Sequence, residues 1–113
     1  MIYIGFSTKT HRFYARVLCR HFRHTAPILV IGDRCIIYQF ISPRQISLIA
    51  VRTKDLKILK MFGWKFIKYH GKFTPQITLK QKNINCVQFT KHACNIKNIF
   101  IQTPDSLFKY LTK

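Results

Sequence analysis

The stretch Asn85-Cys86-Val87-Gln88-Phe89 has the pattern of a helix that begins on a cysteine. Asparagine is a preferred N-cap. A thiol in the first turn faces backbone N–H groups and the positive end of the helix dipole. Both favour the thiolate, which is the nucleophilic form. A thiol enzyme needs two further groups: an imidazole that takes and returns the proton, and a polar group that holds the imidazole in the right tautomer. The histidines are His11, His21, His24, His70 and His92. His24 is the best placed, because it opens the apolar run His24-Thr25-Ala26-Pro27-Ile28-Leu29-Val30. A histidine at a strand edge can face a helix that packs across the sheet. Gln39 is an amide within the otherwise apolar Ile36-Ile37-Tyr38-Gln39-Phe40, and on a hairpin turning at Gly32-Asp33 it falls near His24. A buried amide needs a partner, and the imidazole N–H is a suitable one. The competing reading makes Cys86 an inert core thiol, His24 a hydrogen-bonded structural residue, and Gln39 a side chain bonding strand-end backbone.

The other chemistry-bearing clusters carry less. Cys19, His21 and His24 lie close in sequence, as do Cys86, His92 and Cys94, but neither set has the spacing of zinc ligands. No metal and no cofactor is expected. A Ser/His/Asp triad is disfavoured, since the only acids are Asp33, Asp55 and Asp105, and Asp33 and Asp105 suit a turn and a cap. Cys19, Cys35 and Cys94 read as core residues, and all four thiols read as reduced in a chain without a secretory signal.

These residues need elements to hold them. Ile2 and Ile4 alternate with Tyr3 and Gly5 as in a strand. Thr10 to Phe22 reads as a helix, with Tyr14, Val17, Leu18 and His21 on one stripe and Arg12, Arg16, Arg20 and Arg23 on another. That arginine stripe is either a solvated face or a contact for anions or nucleic acid. The runs 26–31 and 35–41, split by Gly32-Asp33, predict a hairpin, and 46–51 a third neighbouring strand after Ser42-Pro43-Arg44. Thr53 is predicted to cap a short helix ending at Gly63, 64–69 to be a strand, and 70–82 a loop or hairpin. The Cys86 helix should run to Cys94 and stop at Asn95, and Ile99-Phe100-Ile101 should be extended. Thr103-Pro104-Asp105-Ser106 should start the last helix, with threonine as N-cap and proline in the first turn.

The ordered set Ile4-Gly5-Phe6-Ser7, His24, Tyr38-Gln39, Asn85-Cys86-Val87-Gln88-Phe89 and Thr103-Pro104-Asp105-Ser106-Leu107 resembles the circularly permuted papain-like superfamily. The resemblance is to its NlpC-type and lecithin:retinol acyltransferase-like members, in particular small phage and bacterial ones, and it covers nearly the whole chain. In that family the histidine precedes the cysteine. The resemblance implies an α+β fold with an antiparallel sheet packed against helices. It implies Cys86 as nucleophile, His24 as base and Gln39 at the third polar position, acting on a peptide, amide or acyl substrate. The chain departs from the pattern in Arg23 before the histidine, in Thr25-Ala26-Pro27 after it, and in having an amide at the third position.

Length and composition frame this reading. The 113 residues suit one domain, 1–113, and 48% hydrophobic content with 14% aromatics suits a folded one. No apolar run reaches the length of a membrane span, and the expected location is cytoplasmic. The 20 Lys+Arg against three acids give a net charge of +17, which attracts nucleic acid, an anionic envelope polymer or another polyanion. Lysine-rich composition from an AT-rich genome would explain part of it. A basic nucleic-acid-binding module, or an inactive papain-like domain used for binding, is therefore the alternative to an enzyme. Trp64, Phe66, Tyr69 and Phe73 interleave with basic residues as stacking surfaces for single strands do.

Overall fold

In the computed structural model the described residues are 1–8, 22, 24–42, 45–74 and 85–113. Short apolar runs form β1 (Ile2–Ser7), β2 (His24–Ile31), β3 (Arg34–Ser42), β4 (Gln45–Arg52) and β5 (Lys65–Tyr69). They pair antiparallel in one sheet of order β4-β3-β2-β1-β5. Helix α1 (Leu56–Met61) lies between β4 and β5, and α2 (Cys86–Ala93) and α3 (Pro104–Leu111) follow the sheet. The fold is thus α+β, in one body with a radius of gyration of 13.1 Å, the size expected of a single domain of this length.

Side-chain alternation divides the core into two layers. One face carries Ile4 and Phe6, which bury against Val87 of α2 and Leu107 of α3. Tyr38 and Phe40 on the same face meet Phe89 of α2. The other face carries Ala26, Ile28, Cys35 and Ile37 under Leu56 of α1, with Trp64 and Phe66 beside them. Gly5 lies where the Trp64 ring crosses β1. A Cβ there would come within 2.9 Å of that ring, so the close crossing requires glycine.

The hairpin turns at Gly32-Asp33 as expected, with Gly32 at φ 61°, a conformation glycine adopts freely. Pro27 lies inside β2, opposite Ile4 of β1. The Val30 N–H donates to Met1 O, so even-numbered amides of β2 point to β1 and odd-numbered ones to β3. The donor that Pro27 lacks would therefore face β3, where the ladder starts only at Ile28↔Ile37.

Two expectations are corrected. Thr53 does not cap a helix. It opens a 3-10 turn, Thr53–Asp55, and its hydroxyl donates to Gly32 O at 3.1 Å, tying β4's end to the hairpin turn. Ile99-Phe100-Ile101 is not extended. Ile99 and Phe100 form an exposed turn, closed by Phe100 N–H donating to Asn98 Oδ1 at 2.9 Å, and only Ile101 enters the core. Three apolar residues in a row were too short a run to separate strand from turn. The helix expected over Thr10 to Phe22, apart from Phe22, and most of the loop expected over 70–82 lie outside the described residues.

Candidate functional site

Cys86 is the first residue of α2. Asn85 before it is extended (φ −153°, ψ 179°), and its side chain accepts from Gln88 N–H at 2.9 Å. This local geometry follows the sequence directly: an asparagine oxygen satisfies one amide of the first turn and leaves the cysteine beside the others. Cys86 is half-buried, packed at the junction of the Val87–Leu107 and Tyr38–Phe40–Phe89 clusters.

The opposite end of α2 is anchored from several sides. The Tyr69 hydroxyl donates to Cys94 O, and Thr74 N–H donates to Ala93 O at 2.7 Å. Asn95, at φ 58°, donates from its amide to Lys72 O at 3.1 Å and Thr74 Oγ1 at 3.2 Å. The buried Lys91 ammonium donates to Ile101 O at 2.9 Å. Loss of solvent lowers the Lys91 pKa. It also lowers that of His92, with the neighbouring Lys91 charge a smaller cause. Lys91 lies on the stripe Val87, Thr90, Lys91, Cys94, so its burial could have been read from helical spacing.

His24 heads β2 opposite Ser7 of β1. Alternation gives Thr25, Pro27 and Leu29 to the α2 side and sets His24 in phase with Ala26 and Ile28. The His24 ring meets Trp64 edge-on, with centroids 6.0 Å apart. Thr25, fully buried, donates from its hydroxyl to Gly5 O at 2.9 Å and pins the strand at this point. Gln39 pairs with Ser47 of β4. Two residues past the last β2–β3 pair, it falls in phase with His24 at the same end of the sheet. Sheet register thus brings His24 and Gln39 to one end and one face. Cys86 packs with Tyr38, Phe40 and Phe89 on the other face of the sheet, so strand alternation does not bring it together with His24 and Gln39.

One contact was not legible in the sequence. Asp105 suits the first turn of α3, where Thr103 and Ser106 form a capping box. Its Oδ1 also accepts from Phe22 N–H at 2.9 Å. The Phe22 ring packs on Phe6 and Phe108 at 5.4 and 4.8 Å between centroids. The start of α3 therefore holds Phe22, two residues before His24 in the chain, and the pairing spans 83 residues.

The described cysteines Cys35, Cys86 and Cys94 are thiols. Cys35 and Cys94 are buried, as the sequence suggested, while Cys19 lies outside the described residues. Burial pushes the Cys94 thiol up to about 12, and burial together with the Asp55 charge raises that of Cys35. No group of histidine, cysteine and acidic side chains suited to a metal occurs among the described residues, and no helix among them is long and apolar enough to cross a membrane. Arg12, Arg16, Arg20 and Arg23, the suggested anion contacts, lie outside the described residues. No family model, curated protein or solved structure matches the chain.

Proposed function

We propose that this chain is a thiol hydrolase that cleaves an amide, peptide or acyl bond, with Cys86 as nucleophile, His24 as general base and Gln39 as the polar group that orients the imidazole. The observation that carries this reading is the contrast among the thiols. Cys86 sits at the start of a capped helix and is half-buried, whereas Cys35 and Cys94 are closed in the core with raised pKa values. The Cys86 thiolate attacks the substrate carbonyl, and the imidazolium of His24 gives its proton to the leaving amine or alcohol. Water, deprotonated by the same imidazole, then releases the acyl group and restores the thiol. The base role requires the His24 imidazole to leave Trp64 and turn about the first residue of β2 into the layer that holds Cys86. Gln39 would accept from the other ring N–H, as an amide does in Cys-His-Asn sites.

The test is site-resolved alkylation by mass spectrometry near neutral pH. Cys86 should label on the order of tenfold or more faster than Cys35 or Cys94, and His24→Ala should slow it. Cys86→Ala should unfold within a few degrees of wild type while abolishing turnover of any acyl or amide substrate found. Uniformly slow labelling of all cysteines would overturn the reading. So would a loss of several kcal/mol in Cys86→Ala, the signature of a core residue.

A further inference from the structure

Helix α1 is short, and only one side of it is used by the fold. Leu56 is buried and Leu59 half-buried against the β2–β3 layer. The other side presents Ile58, Met61 and Phe62, which are 51%, 84% and 60% exposed. Their spacing places them side by side on the surface. Lys54, Lys57 and Lys60, all exposed, run beside them at intervals of one turn. The nearby acid, Asp55, is faced by Arg52 at 3.7 Å, so the patch remains cationic. Isolated exposed apolar side chains are ordinary, but three neighbouring ones flanked by lysines point to an interaction surface.

We infer that the α1 tip docks the protein onto an anionic phospholipid surface, with Met61 and Phe62 entering the headgroup–acyl boundary and the lysines contacting lipid phosphates. The observations favour this partner over two others. A nucleic acid has no use for exposed Ile58 and Met61. The cations here are lysine point charges rather than the arginine forks that read base edges. A second copy of the chain would bring the same lysine-flanked patch, and another net charge of +17, against the first. An interface of anionic lipid supplies both the apolar volume and the negative charge that the patch lacks.

Trp64 is the only tryptophan and lies two residues after Phe62, so its fluorescence reports on this tip. The full chain is mixed with vesicles of phosphatidylcholine alone and of phosphatidylcholine with phosphatidylserine, and binding is read by co-sedimentation and by quenching of Trp64 with brominated lipid. Binding and quenching are expected with the mixed vesicles only. Met61→Ser/Phe62→Ser should lower the partition coefficient on the order of tenfold or more, and Lys57→Ala/Lys60→Ala roughly thirtyfold at low salt. All four positions are exposed, and thermal melts check that the variants fold. The inference is overturned if the mixed vesicles bind no better than neutral ones. It is equally overturned if Met61→Ser/Phe62→Ser binds them as wild type does without quenching, or if the chain binds DNA through the lysines and ignores vesicles.

Discussion

The sulfur atoms at Cys86, Cys35 and Cys94 belong to the same side chain in different surroundings, and burial divides them into one candidate nucleophile and two core groups. Cys94 shows the energetic consequence most sharply. Folded, its thiol holds the proton up to about 12, while in the unfolded chain it ionises around its ordinary 9.0. Between those values the unfolded state binds fewer protons, so stability falls as the pH rises. Below 9.0 the contribution is complete. Lys91 acts in the opposite sense, because its lowered pKa relieves a desolvation cost as the pH climbs toward 10.5. The comparison that isolates the thiol is wild type against Cys94→Ala in urea unfolding. From about pH 9 to pH 11 the wild-type advantage should shrink by up to ~1.4 kcal/mol per unit. A constant difference across that range would mean the Cys94 thiol is not held protonated by the fold.

At the scale of elements, two short helices begin on different caps that do similar work. Asn85 accepts from Gln88 N–H at the start of α2, and Thr103 accepts from Ser106 N–H at 3.1 Å at the start of α3. Replacing either by alanine should cost about 1 kcal/mol of stability. Their chemical effects should differ. Asn85→Ala frays the turn that bears Cys86 and should slow its alkylation several-fold, whereas Thr103→Ala should leave that rate within about twofold, because the effect of a helix end falls off within one turn. Matching rates in the two variants would separate Cys86 reactivity from the α2 cap. The Asp105–Phe22 hydrogen bond lies on the same helix start as Thr103, so the Thr103 variant also reports whether α3's entry matters to the thiol.

Across the whole molecule the dominant fact is charge. Three acids face 20 Lys+Arg, and the one ion pair between described side chains is Arg52–Asp55 at 3.7 Å. With so few acids, neighbouring cations repel one another, and the compact state bears that repulsion more than the expanded one. Raising ionic strength from about 0.01 M to about 0.15 M shortens the Debye length from ~30 to ~8 Å. The melting temperature should rise by a few degrees as a result, measured by circular dichroism in sodium chloride. A melting temperature that falls with salt would mean attractive surface pairs outweigh the repulsion. The hydrophobic core bears this load in two layers, one on each face of a sheet only five strands wide.

Much of this architecture is local and was readable from the chain. The β2–β3 hairpin follows from two apolar runs and a glycine turn. The α2 start follows from one asparagine, and the α3 start from Thr103-Pro104, because capping and turn geometry involve residues within four positions of one another. Where local signals were thin, the reading failed. Thr53 was drawn into a contact with Gly32, a partner 21 residues away, and Ile99-Phe100 turned outward despite their apolar side chains. The sequence by itself determined that a cysteine heads a capped helix and that a histidine opens a strand before it. Only the tertiary structure decided that Cys86 is half-buried where Cys94 is sealed, that His24 lies against Trp64 in phase with Gln39, and that Asp105 holds the approach to β2. These relations depend on sheet order and on which face each strand presents, and they join residues far apart in the chain. Beyond the hairpin that sets Gln39 near His24, spacing along the sequence carries little information about them.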